Sequence, residues 1–215
     1  MNYTEIESVV KKESLRILGG FYPQLKDCAP LNSKTLILLG PDEPKFWEVF
    51  KTSSEYTSNL NNPLDSWSKR TINNIATKLK AQSIFPFGGP PFKPFYKWAL
   101  LTQRAHESPI SLLVHDEAGL FVSYRGALSF DYKVTLPPVA ANPCIGCSAP
   151  CLTICPVQAF NKKSYDASGC ITHIKTTDTK QCISKGCAAR RICPISKNFA
   201  RLPEQSAFHM KAFTK

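Results

Sequence analysis

A chain of 215 residues, 43% hydrophobic and 20% charged, is long enough for one large or two small domains with buried cores. Its formal charge is +11, and no run of 18 apolar residues occurs, which excludes a membrane-spanning helix. Met1–Lys12, MNYTEIESVVKK, lacks the basic start and apolar core of a secretory leader. The nine cysteines are therefore expected as reduced thiols in the cytoplasm rather than as disulfides.

Residues 4–18 place Ile6, Val9, Val10, Ile17 and Leu18 on a roughly helical period, which predicts a helix stopped by Gly19–Gly20. TLILL, residues 35–39, reads as a buried strand ended by Gly40–Pro41. Phe46, Val49 and Phe50 predict a short helix over 44–52. Asn62–Pro63 reads as an N-cap with proline at the first helical position, opening a helix that carries Leu64, Trp67, Ile72, Ile75 and Leu79. QSIFPF, 82–87, predicts extended chain, and Gly88–Gly89–Pro90–Pro91 a loop. A further helix is expected over 94–104. The runs 110–115 and 120–128 read as two strands joined by the hairpin loop 116–119. The proline-rich linker 135–143 marks the expected boundary between a domain at 1–140 and a second at 141–215. Helices alternating with strands make the first an α/β layered domain, within an α+β chain.

Eight cysteines fall between Cys144 and Cys193: Cys144, Cys147, Cys151, Cys155, Cys170, Cys182, Cys187 and Cys193. Such a set can be a disulfide framework, zinc knuckles or two iron–sulfur clusters. Zinc sites usually show paired C-x2-C knuckles, and only one such pair is present. The first four run C-x2-C-x3-C-x3-C-P, one residue longer in the middle than the bacterial ferredoxin run. Proline also follows Cys193. The segment thus resembles a two-cluster ferredoxin. In those proteins the fourth cysteine of each run ligates the other cluster. That crossing implies one [4Fe-4S] cluster on Cys144, Cys147, Cys151 and Cys193 and a second on Cys155, Cys170, Cys182 and Cys187. Residues 141–215 carry 11 Lys+Arg against 3 Asp+Glu. This surplus offsets cluster charge, or forms a docking face for an acidic electron donor such as flavodoxin or a reductase; nucleic acid is not the expected partner.

The same segment resembles the ferredoxin part of epoxyqueuosine reductases and reductive dehalogenases, through Cys144-x2-Cys147, Cys155–Pro156, Cys170–Ile171 and Gly186–Cys187 before Cys193–Pro194. In these families two clusters feed a cobalamin held by a nitroreductase-like domain. The second group, C-x4-C-x5-C-P, is looser than the family's, which bears on Cys182 and Cys187. Residues 115–126, HDEAGLFVSYRG, are similar to the His-Pro-x-x-Gly-x-Trp-x-x-x-Arg-Gly pattern of the type C vitamin B12-processing family. His115, Gly119, Arg125 and Gly126 match; Asp116 and Phe121 depart. Gly20-Phe21-Tyr22, Asn62–Pro63–Leu64–Asp65 and Phe92–Lys93–Pro94 are weaker echoes.

These resemblances imply a nitroreductase-like domain followed by a small ferredoxin-like one. They also imply a corrinoid pocket touched by His115, Tyr124 and Arg125, with electrons passing from two [4Fe-4S] clusters to cobalamin for its reduction or loss of its upper ligand. The alternatives are an electron-transfer ferredoxin that docks a partner enzyme and a tRNA-modifying epoxyqueuosine reductase-like enzyme. The latter family has further C-terminal sequence that this chain, ending at Lys215, does not show. From the residues alone, Phe85, Phe87, Phe92, Phe95 and Trp98 read as core or pocket wall. Cys28 reads as a free thiol and His173 as exposed. Lys162, Lys163, Lys175, Lys180, Lys185, Arg190 and Arg191 read as a solvated basic surface.

Overall fold

A computed structural model describes residues 1–58, 60–160, 165–176 and 181–214. The fold is mixed α+β, with helices and small antiparallel sheets. The chain divides into two compact units, Met1–Ala105 with Ser123–Ala140, and His106–Val122 with Ala141–Lys215. Residues 106–122, expected with the first domain, are grouped with the cysteine segment.

In the first unit, α1 (Tyr3–Lys12) starts on a capping box: Glu5 N–H donates to Asn2 Oδ1 at 3.0 Å, and Asn2 N–H donates to Glu5 Oε2 at 2.9 Å. The helix ends at Glu13, and Ser14 has φ of 56°. Residues 15–18, expected as its continuation, instead begin β1 (Leu15–Phe21). β1 pairs antiparallel with β2 (Thr35–Pro41), with an irregularity between Ile17 and Gly20. The apolar period of 15–18 is satisfied by that sheet, so tertiary pairing overrides the local pattern.

β2 is buried at all seven positions, as its unbroken apolar run requires. Its other edge pairs with β6 (Gly126–Phe130), which pairs in turn with β3 (Gln82–Ile84), giving the order β1-β2-β6-β3. The α-helices that follow α1 in this unit are α2 (Lys45–Lys51), α3 (Ser54–Thr57), α4 (Pro63–Leu79) and α5 (Phe95–Leu101). α4 opens at Asn62–Pro63 as expected and buries Leu64, Trp67, Ile72, Ile75 and Leu79. Phe46, Phe50 and Trp67 close the core edge-to-face or stacked, with ring centroids 5.2–6.1 Å apart.

The hairpin expected from 110–115 and 120–128 does not form. β5 (Leu113–His115) pairs with β4 (Ala105–Glu107), whereas β6 lies in the four-stranded sheet. The turn between them is present: His115 and Gly119 exchange backbone hydrogen bonds at 3.0 and 2.9 Å. Residues 120–125 are irregular because β6 is needed as a partner for the second edge of β2.

In the second unit, α6 (Ala167–Thr176), α7 (Gln181–Lys185), α8 (Ala188–Ile192), α9 (Pro194–Asn198) and α10 (Pro203–Phe213) follow the first cysteine loops. Its core contains Ile110, Val114, Leu120, Cys151, Ala189 and Cys193. Thus the 106–122 segment supplies apolar side chains to a cysteine-rich unit that has few of its own. No helix among the described residues is long and apolar enough to cross a membrane.

Candidate metal centre

Cys144, Cys147 and Cys151 stand on tight turns. Asn142 Oδ1 accepts from Cys144 N–H at 2.9 Å, and Cys147 N–H donates to Cys144 O at 3.2 Å. Gly146 and Ala149 have φ of 75° and 51°, which turns the loop back on itself. Cys193 lies between α8 and α9 with Pro194 at the first position of α9. These four thiols wall one cavity of about 330 Å3. The rest of its lining is mostly apolar and includes Pro109, Val114, Leu120, Ile145 and Ile195.

The electrostatics group the thiols the same way. Burial pushes the Cys144 thiol up, and so do the neighbouring Cys147, Cys193 and Cys151. Burial also raises Cys151, with Cys193 and Cys147 adding to it. The other four form a second set. Cys170 is raised by burial first and then by Cys187, Cys155 and Cys182, against a hydrogen bond with Tyr165 that lowers it. Cys182 is raised by burial, with Cys187 and Cys155 adding to the shift. The Ala188 N–H and Arg191 oppose it. No thiol of one set perturbs a thiol of the other in these four cases.

Backbone N–H groups aim at sulfur in both sets. Ala149 donates to Cys147 Sγ and Ala159 to Cys155 Sγ, each at 3.4 Å. Tyr165 stacks on Phe160 at 5.0 Å, and burial and its contact with Cys170 push its hydroxyl far above the usual tyrosine range. Among the described residues, no group of three or more His, Cys, Asp or Glu that could hold a metal ion is found. Residues 161–164 and 177–180, which connect members of the second set, lie outside the described residues.

No family model, curated protein or solved structure matches the chain.

The 106–122 segment is stitched to the cysteine helices within the second unit. Leu120 N–H donates to Ser196 Oγ at 2.8 Å. Arg190 donates to Leu120 O at 2.6 Å and Arg201 to Phe121 O at 3.2 Å. Arg190 is thus a half-buried structural donor rather than a solvated charge, and burial lowers its pKa. Arg191 is half-buried as well and donates to Gly186 O at 3.1 Å. Lys175 and Lys185 are exposed, whereas Lys162, Lys163 and Lys180 lie outside the described residues. Gly186, before Cys187, has φ of 88°, and a Cβ there would come within 2.6 Å of Ser206 Cβ.

The three residues expected at a corrinoid do not share a unit. His115 is in the second, Tyr124 and Arg125 in the first. His115 is fully buried, and its Nδ1 lies 3.1 Å from Glu117 N, 3.3 Å from Ala118 N and 2.9 Å from Asp116 Oδ1. It holds its own turn. The Tyr124 hydroxyl is buried. Arg125 precedes β6 and continues its ladder through N–H to Leu39 O at 2.8 Å. Its Nη2 pairs with Asp65, its Nε donates to Ser68 Oγ at 3.0 Å, and its guanidinium lies 5.8 Å from the Phe87 ring centre. Burial lowers its pKa, and Asp65 opposes that shift.

Asp65, 60 residues away in sequence, is the partner, and reading along the chain does not reach it. The signal available was Asp65 in the Asn62–Asp65 echo. Of the expected aromatic wall, Phe95 and Trp98 are buried 5.0 Å apart, and Trp98 Nε1 donates to Asp27 O at 2.7 Å. Phe85 stacks on Phe87 at 5.2 Å, while Phe92 is exposed. Cys28 is exposed and free, and His173 is half-buried on α6. A separate cleft of about 370 Å3 in the first unit is lined by Gly20, Phe21, Tyr22, Lys26 and Arg104, among others.

Proposed function

We propose that the chain is an iron–sulfur redox protein that holds two [4Fe-4S] clusters and passes single electrons to an acceptor. Cys144, Cys147, Cys151 and Cys193 would hold one cluster, and Cys155, Cys170, Cys182 and Cys187 the other. The observation that carries this reading is the 330 Å3 cavity walled by all four thiols of the first set. A mononuclear zinc site needs four ligands about 2.3 Å from one ion. Four thiols around a cavity of that size suit a polynuclear cluster, in which each thiolate meets its own iron.

When bound, such clusters supply one-electron redox chemistry. The chain holds the thiolates, directs Ala149 and Ala159 N–H groups at sulfur, and walls the first site with Val114, Leu120 and Ile195 against water. Exposed Ile145, Leu152, Ile154 and Val157 on the cysteine loops, with the basic surplus of residues 141–215, support docking of an acidic electron-carrying protein.

The finer reading names a corrinoid as acceptor and a nitroreductase-like fold for the first unit. The cleft lined by Gly20, Phe21 and Tyr22 favours it, because those residues belong to the family echo. At about 370 Å3 that cleft is at the low end of small-molecule sites, about 300–1,000 Å3, so it takes part of a corrinoid rather than the whole. The pairing of Arg125 with Asp65 does not favour a corrinoid contact at Arg125.

Anaerobic reconstitution tests the proposal. Iron and sulfide should each approach about eight per chain, with the electron paramagnetic resonance of reduced cubanes. Stoichiometric zinc and no sulfide would refute it. Adding hydroxocobalamin then separates the acceptors: corrinoid bands co-eluting with the protein and bleaching on reduction support the finer reading, and their absence leaves a docking electron carrier.

A further inference from the structure

We infer that Ser108, outside the cysteine segment, is the hydroxyl that hydrogen-bonds the cluster held by Cys144, Cys147, Cys151 and Cys193 and raises its reduction potential. The inference rests on the two-cluster reading above and adds to it a residue that tunes one site only.

Ser108 lines the cavity walled by those four thiols. It is 6% exposed, and its Oγ is buried with no hydrogen-bond partner among the described residues. Buried hydroxyls are rarely left so, because the lost hydration is not replaced. Its backbone is already committed: Ser108 N–H donates to Leu112 O at 2.9 Å, and Ser108 O accepts from Ser111 N–H at 2.9 Å. Pro109 follows, and Ser111 has φ of 59°. The turn therefore holds the Ser108 Cβ in place, and the side chain cannot find a partner by moving the backbone.

A serine hydroxyl has one proton to give. Ser148 lines the same cavity but is exposed, so water serves it. The acceptors missing for Ser108 are what a cluster and its thiolates bring, namely electron-rich sulfur. Reduction adds negative charge that spreads onto those sulfurs. A hydroxyl that donates to them stabilises the reduced form more than the oxidised form, so the potential rises. The second set carries its own donor in Tyr165, whose hydroxyl meets Cys170, so removing the Ser108 hydroxyl should not reach it.

The test uses the full chain reconstituted anaerobically as wild type, Ser108→Ala and Ser108→Thr. Iron content is measured first. Wild type without iron and sulfide defeats the two-cluster reading itself, before any potential is read. With clusters in place, redox titration followed by electron paramagnetic resonance gives two midpoints. The expected result is that Ser108→Ala lowers one midpoint, leaves the other unchanged, and removes one exchangeable-proton coupling from the reduced first cluster. Ser108→Thr, which keeps the hydroxyl, should retain iron, the wild-type midpoint and that coupling. Full iron with both midpoints unchanged in Ser108→Ala overturns the inference. If Ser108→Ala fails to take up iron, Ser108→Thr decides, and a lowered midpoint in that variant overturns it equally.

Discussion

Replacing Asp65 with alanine tests whether Arg125 is a structural cation. The Arg125 side chain is 11% exposed and that of Asp65 38% exposed. Two unit charges about 4 Å apart at an effective dielectric near 20 attract by roughly 4 kcal/mol. Most of that gross value is offset by desolvation of the guanidinium. Breaking a fully buried pair costs about 3–5 kcal/mol, but water reaches Asp65 and screens it. A hydrogen bond to a charged group is worth about 1.5–3 kcal/mol, and that range is the expected loss for Asp65→Ala. Arg125→Ala should cost a similar amount, because it also removes the stem packing and the Ser68 bond. For a unit of this size, about 2 kcal/mol lowers Tm by roughly 8 °C. Thermal unfolding by circular dichroism of both single variants and the double variant gives the coupling, expected at about 1–2 kcal/mol. If both single variants melt with the wild type, the pair holds nothing together. If Arg125→Ala melts with the wild type but loses bound corrinoid, Arg125 belongs to a ligand site after all.

Cys193→Ser should remove the first cluster and leave about four iron per chain, whereas Cys182→Ser should remove the second; loss of both clusters from either variant would contradict two separate sets. Leu120→Ala should destabilise the second unit by about 2–4 kcal/mol and speed iron loss to chelator, because Leu120 is 1% exposed and walls the first cavity. An unchanged release rate would remove the 106–122 segment from the site. The Arg70 guanidinium, bonded to both Glu55 carboxylate oxygens at 2.6 and 3.0 Å, holds Glu55 down to about 2. A depressed carboxylate stabilises the fold above its unfolded pKa and loses that contribution as pH falls through the folded value. Wild type should therefore lose about 1 kcal/mol relative to Glu55→Gln between pH 4.5 and 2, a modest figure because Arg70 is half exposed. Parallel pH profiles for the two proteins would refute this.

Local patterns were legible where neighbours in sequence settle the structure. The Asn62–Pro63 helix start, the buried strand after Lys34, the 88–91 loop and the His115–Gly119 turn all depend on residues a few positions apart. The eight thiols, with the crossing rule of the two-cluster ferredoxins that they resemble, named two candidate sets. What only the tertiary structure decided involves partners distant in the chain. Residues 15–18 carry a helical apolar period but meet β2, and backbone pairing across a sheet edge outweighs that pattern. Leu120 to Arg125 read as strand, yet β6 forms only from Gly126, where β2 and β3 offer two edges. Arg125 finds Asp65 and Ser68 on α4, and 106–122 joins the cysteine unit because that unit lacks apolar side chains to close its core. Ser108 belongs to the same class: in sequence it is a serine before a proline, and only folding buries its hydroxyl and places the residue in the lining of the cavity of four cysteines. Sequence by itself determines which groups are available for chemistry. Burial, which decides what those groups must bond to, is a property of the whole chain.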